Sequence, residues 1–166
     1  MHLIIDGYNL IHHSPELFWA GDMERGREAL LTALRLYRQK RSHQITVVFD
    51  GGQDLQPRRA SQLGVPVIYS GAKQKADQVI VELAGRLGAG ATVITDDREL
   101  AGLCRGRGAE VIGSRIFASR LMATAQGQAQ AAEDDEPGWD FSTRKKGPSH
   151  REPKAKRRHH SRLERL

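Results

Sequence analysis

The chain has 166 residues, 39% hydrophobic and 28% charged, with a formal net charge of +6. No stretch approaches the roughly 20 apolar residues that a membrane span needs, and the single cysteine, Cys104, rules out an intramolecular disulfide and a Cys-based zinc site. That length accommodates one domain of ordinary size plus an appendage, and the lone thiol, in a predicted helix and read as a small buried apolar residue, suits a reducing cytoplasm.

The first predicted strand, at about 2–6, is His2-Leu3-Ile4-Ile5-Asp6. It begins so soon after Met1 that neither a signal peptide nor a transit sequence is expected. An amphipathic helix near 24–41 carries Leu30, Leu31, Leu34 and Tyr37 on one stripe. A second strand, at about 45–50, ends in Asp50, and a Gly-, Asp-, Gln- and Pro-rich loop runs from Gly51 to Pro57 before a strand near 65–69. The next helix, from about Lys75 to Leu87, repeats Ala76, Val79, Ile80, Leu83 and Leu87 at helical spacing and stops at Gly88-Ala89-Gly90. A strand at 91–95, a short helix at about 97–105, the strand Glu110-Val111-Ile112 and a last helix near 114–125 complete the body. Short β-branched runs alternating with helices predict an α/β fold with a parallel sheet, whose ligands bind outside the carboxyl ends of the strands.

Acids gather at those ends. Asp6 and Asp50 close their strands, Asp96-Asp97 follows the strand at 91–95, and Asp77 lies a few residues beyond the strand at 65–69. Each has an ordinary explanation when taken singly: an Asx turn for Asp6, a helix N-terminus for Asp77, an acid-plus-glycine turn for Asp50. Adjacent Asp96 and Asp97 cannot both face one point, so one is expected to cap the helix and the other to be the ligand. Gly7 is expected to give the backbone freedom for a close turn, and Asn9 to hold Asp6 or a bridging water. Four acids on successive strand ends would repel one another without a hard cation, and oxygen-only ligands suit Mg²⁺ or Mn²⁺. The chemistry implied is metal-assisted hydrolysis of a phosphodiester. Lys73 and Lys75, beside Asp77, are candidate phosphate contacts.

The four segments Ile4-Ile5-Asp6-Gly7-Tyr8-Asn9-Leu10-Ile11, Val47-Val48-Phe49-Asp50, Ala76-Asp77-Gln78-Val79-Ile80 and Ile94-Thr95-Asp96-Asp97-Arg98 occur in that order. Together they resemble the YacP-like branch of the NYN domain family, relatives of the PIN-domain ribonucleases, over roughly residues 1–122. The resemblance implies a Rossmann-like (PIN-like) three-layer sandwich with an acidic, Mg²⁺- or Mn²⁺-binding centre that cleaves single-stranded RNA. It places Asp6, Asp77 and Asp97 as the central catalytic and metal-binding acids, with Asn9 and Asp50 in support; Asp96, beside Asp97, is kept as a supporting acid from its position alone. Arg27 matches an arginine early in the family's first helix and so joins the candidate phosphate contacts. The family often has Ser where this chain has Asp96. The basic tail is expected to lie outside the family pattern.

Beyond 125 the composition changes. Residues 126–132 lack bulky side chains, Glu133 to Glu136 is acidic, and from Thr143 to Leu166 ten Lys/Arg face two acids. That stretch carries +8, leaving −2 on residues 1–142. The expected organisation is a nuclease domain at 1–125 and a disordered, low-complexity and basic segment at 126–166, in which Trp139 and Phe141 dock on the body or stack on a base. Such a tail suits RNA or an RNA-rich particle such as the ribosome, since cations placed on phosphates release counterions. Neither a membrane nor a nucleotide cofactor is implied. His12-His13 lacks further ligands at zinc spacing, and His159-His160 reads as part of the basic run. A phosphorylation receiver would want Lys where Gly113-Ser114-Arg115-Ile116 stands, and an Asp-x-Asp phosphatase would need an acid at Tyr8. The serious rival is a non-catalytic RNA-binding or ribosome-associated module.

Overall fold

The alternating runs form six strands: β1 (His2–Asp6), β2 (Gln44–Phe49), β3 (Arg58–Gln62), β4 (Val65–Tyr69), β5 (Ala91–Ile94) and β6 (Glu110–Ile112). Between them lie α1 (Gly7–His12), α2 (Met23–Lys40), α3 (Ala76–Leu87), α4 (Arg98–Gly106) and α5 (Ser114–Ala125). The structure, a computed structural model, describes residues 1–125. The expectations for 126–166, including Trp139 and Phe141, lie outside the described residues.

The sheet runs in the order β3-β4-β2-β1-β5-β6. All neighbours are parallel except β3, which pairs antiparallel with β4. Without β3, the strands take the doubly wound order, with the chain reversing its direction of growth between β1 and β5. Ligands of such sheets bind at that crevice, and Asp6 and Asp96-Asp97 stand at its two sides.

Side chains alternate across each strand. Leu3, Ile5, Val47, Phe49, Ile94 and Ile112 pack on one face with buried residues of α1, α2 and α5. Ile4, Val48, Ile68, Val93 and Val111 pack on the other with α3 and α4, including the buried Cys104. Two apolar faces each covered by helices make the three-layer sandwich. Asp6 shares the parity of Ile4, so it belongs to the α3/α4 side.

Two elements depart from the sequence expectation. β3 makes the sheet mixed; its residues Arg58-Arg59-Ala60-Ser61-Gln62 are nearly all exposed, so an edge strand here carries no apolar alternation. Leu63 and Gly64 turn it into β4 with φ of 52° and 77°, the two positive values a tight hairpin favours. The second is α1, which starts at Gly7 where a turn was expected. Gly7 is needed there for space: a Cβ would lie 2.3 Å from the Phe49 ring.

Candidate active site at the carboxyl edge of the sheet

β1 passes directly into α1, and Asp6 caps that helix, Oδ1 accepting from the Asn9 amide at 3.2 Å. Asp97 caps α4 in the same way, accepting from the Leu100 amide at 2.9 Å. The buried Thr95 joins the two, its hydroxyl donating to Asp6 Oδ2 at 3.3 Å and accepting from the Asp97 amide at 3.1 Å. One hydroxyl thus fixes acids from two adjacent strands. Asp77 sits in the first turn of α3, and Asp50 holds the start of that helix by accepting from the Ala76 amide at 3.0 Å and the Ser70 hydroxyl at 2.9 Å.

Burial is the main cause that lifts the Asp6 carboxyl to about 6, countered by its bonds from Asn9 and Thr95 and reinforced by the charges of Asp77 and Asp97. Asp77, although exposed, is also held above its ordinary range. Partial desolvation leads, Asp97 and Asp50 add repulsion, Lys75 opposes them and Glu99 contributes. Asp6, Asp77 and Asp97 therefore form one mutually repelling group on the α3/α4 side of the rim.

Asp96 turns elsewhere. Its Oδ2 accepts from the Arg115 amide at 3.3 Å and lies 4.0 Å from the Arg115 Nε. Its Oδ1 lies where a Cβ on Gly113 would be only 2.6 Å away. The Asn9 side chain does not hold Asp6; its Oδ1 accepts from the Asp96 amide at 2.9 Å and the Ser114 hydroxyl at 2.7 Å, clamping β5 to the start of α5. Lys73 and Lys75 are exposed just before α3. Arg27 belongs to the α1/α2 side, where its Nη1 donates to the Tyr8 hydroxyl at 3.2 Å. His13 bonds the Asn9 carbonyl at 2.8 Å, and the His12 ring packs 5.6 Å from Phe18.

Sequence reading missed Thr95 and Ser70, the hydroxyls that bond Asp6 and Asp50, and Ser114, which bonds Asn9. The available signal was a hydroxyl at or just beyond the end of an apolar run, which is faint beside the acids themselves.

Among the described residues, no three Asp, Glu, His or Cys side chains close around one point as a cage. The donor set is nonetheless oxygen-only and half-open. Mg²⁺ is usually held by one or two carboxylates, with waters and substrate phosphates completing its shell. The acids fit an ion bound in that manner.

The chain is a doubly wound α/β domain with carboxylates at its switch point, and its relatives make it a nuclease-like one. The model of the YacP-like NYN domain matches residues 3–164, and the chain belongs to that family. The match runs through the basic segment, so the expectation that the tail falls outside the family pattern is corrected. The fold is similar to the crystal structure of a tryptophan-to-leucine mutant of Rae1 (YacP) from Bacillus subtilis, with 26% identity, TM-score 0.64, and coverage of 76% of this chain and 77% of that one. It is also similar to Rae1 (YacP) of Bacillus subtilis without that substitution, at 25% identity and TM-score 0.58, covering 76% of each chain. No curated protein matches the chain. Among the described residues, no helix is long and apolar enough to cross a membrane.

Proposed function

We propose that the protein is a divalent-metal-dependent endoribonuclease that hydrolyses phosphodiester bonds of single-stranded RNA in the cytoplasm. The observation that carries this reading is the mutually repelling group of Asp6, Asp77 and Asp97 at the switch point of a nuclease-like domain. Among these three, one or two carboxylates at a time would hold Mg²⁺ or Mn²⁺, with water and substrate phosphate completing its shell. When bound, such an ion lowers the pKa of a water and offsets charge on the attacked phosphate. Thr95 and Asn9 keep the acids in register, Asp50 sets the start of α3, and Lys73 and Lys75 supply cations on the substrate's approach. Arg27, on the other side of the rim, would meet the strand beyond the scissile bond.

Metal binding is testable without substrate. A ligand that relieves carboxylate repulsion in the native state raises the melting temperature, and at 100-fold excess over its dissociation constant one site adds about 2.7 kcal/mol. A melting curve should move up with millimolar Mg²⁺ or Mn²⁺ and return with EDTA; an unmoved curve would count against the site.

The +8 of residues 143–166 supports a tail that binds RNA or a ribonucleoprotein such as the ribosome. Deleting 137–166 should weaken affinity for single-stranded RNA and flatten its dependence on salt, because fewer counterions are released. Equal salt slopes for the full and shortened chains would remove the tail from RNA binding.

One observation favours a second reading, a non-catalytic RNA-binding or ribosome-associated module. Asp6, Asp50 and Asp97 each satisfy helix-start amides, and that work alone would account for an acid at those places. Metal-dependent cleavage separates the two readings.

A further inference from the structure

The carboxyl edge has a second side. Across the sheet from the acids, two adjoining cavities of about 370 and 280 Å³ share Arg27, Gln62 and Tyr69 in their walls. Tyr69 is held rigidly, its ring stacked on Phe49 at 5.9 Å and 25°, with Tyr8 against Phe49 at 5.1 Å. Its hydroxyl donates to Gln62 Oε1 at 3.2 Å, which orients the Gln62 amide nitrogen as a donor. Gly52 lines the smaller cavity, where its φ of +122° suits glycine and a Cβ would come within 3.3 Å of the Tyr69 Cβ.

The charges decide which part of a nucleotide fits. Arg27 and Arg58 are outnumbered by Glu24, Glu28 and Asp54, and Asp54 already lies 3.8 Å from Arg58. The larger cavity, with Glu24 and Glu28 against Arg27, disfavours a phosphate and suits a neutral, flat heterocycle. A preformed aromatic offers a stacking surface, Gln62 a donor, and the glutamates acceptors for an exocyclic amine. The chain also links the groove to the acids: Tyr69 precedes Ser70, which bonds Asp50, and Tyr8 lies two residues beyond Asp6.

We propose that this groove binds one unpaired nucleobase of the substrate RNA, stacked on Tyr69 and read by Gln62, with amine-bearing bases preferred over uracil. The inference rests on the ribonuclease reading for its substrate class. A base seated there leads its sugar–phosphate chain over Gly51-Gly52 toward the acid group, so the groove sets which residue of the strand meets the cleavage centre.

The test measures binding of a short fluorescent single-stranded RNA to the full chain carrying Asp97→Asn, which keeps the RNA uncut. Abasic sites are introduced at each position in turn. One abasic position should weaken binding by roughly five- to 150-fold, the range for one stacked base. Tyr69→Leu should weaken intact RNA to a similar degree and make that abasic site harmless, whereas Tyr69→Phe should keep the stacking. Gln62→Ala, at an exposed position of β3, should narrow the preference over uracil. Fully additive losses for Tyr69→Leu and every abasic site would overturn the proposal, since contacting groups couple and distant ones add. Should Tyr69→Leu fail to fold, an unchanged base preference in Gln62→Ala overturns it instead. Cleavage by the wild-type chain is scored separately: uncut RNA with coupled binding losses sinks the nuclease reading alone, and cut RNA without coupling sinks the groove alone.

Discussion

Asp97→Asn should reduce RNA cleavage by roughly 10²- to 10³-fold, the scale seen when a preorganised charge-stabilising group is removed from an active site. The substitution is structurally mild, because asparagine caps a helix about as well as aspartate, and its side-chain oxygen can still accept from the Leu100 amide. Folding and RNA affinity should therefore persist while turnover falls. The neighbouring Asp96→Asn serves as the comparison. Asp96 is turned to Arg115 and the start of α5, so its loss should leave most of the cleavage in place. A variant pair with equal activities would show that the division of roles between these two acids is wrong.

Asp6→Asn should do two opposite things, abolishing cleavage while stabilising the metal-free protein at neutral pH. The Asp6 carboxyl titrates at about 6 in the fold, against 3.8 for the ordinary group, chiefly through burial. A folded pKa above the unfolded one means that the native state binds the proton more tightly. Stability attributable to Asp6 is therefore highest below pH 4 and is lost as pH rises through 4 to 6. The full loss at neutral pH is about 3 kcal/mol on the pKa scale. Asparagine gives up the charge-assisted bonds from Asn9 and Thr95, so a net gain of about 1–2 kcal/mol is expected. In EDTA at pH 7 that raises the melting temperature by roughly 3–10 °C. At pH 4, where the wild type no longer carries that penalty, the gain should be lost and the wild type should melt slightly higher; with Mn²⁺ at pH 7 the order should also reverse, because only the wild type retains the full ligand set. An Asp6→Asn protein less stable than wild type at pH 7 without metal would contradict the electrostatic picture of the site.

Apolar patterning made most of the fold legible. β6 and α5 fall on their expected bounds, and α2 and α3 lie within a residue or so, because each carries a stripe or run that has to be buried. β3 was not legible, since an exposed polar edge strand owes its existence to the unsatisfied edge of β4 and to the Leu63-Gly64 turn. α1 was hidden for another reason: six residues directly after a strand-ending Asp, the first of them glycine, look like a turn until Phe49, more than forty positions away, is seen to require glycine at 7. The acids were visible one by one from their place after each strand. Their pairing was not, because it depends on Thr95 bridging β1 to β5 and on Asn9 turning its oxygen toward Asp96 and Ser114 rather than Asp6. Arg27 shows the same limit, standing at the rim but on the opposite side of the sheet from the carboxylates.

The most direct test of the central claim is cleavage of a labelled single-stranded RNA by the full chain with Mn²⁺, with EDTA and with Asp97→Asn, run side by side. Internal cleavage products that require both the ion and Asp97 are the expected result. RNA left intact by the wild-type protein in Mn²⁺, or cut equally in EDTA and by Asp97→Asn, would contradict a metal-dependent ribonuclease centred on these acids.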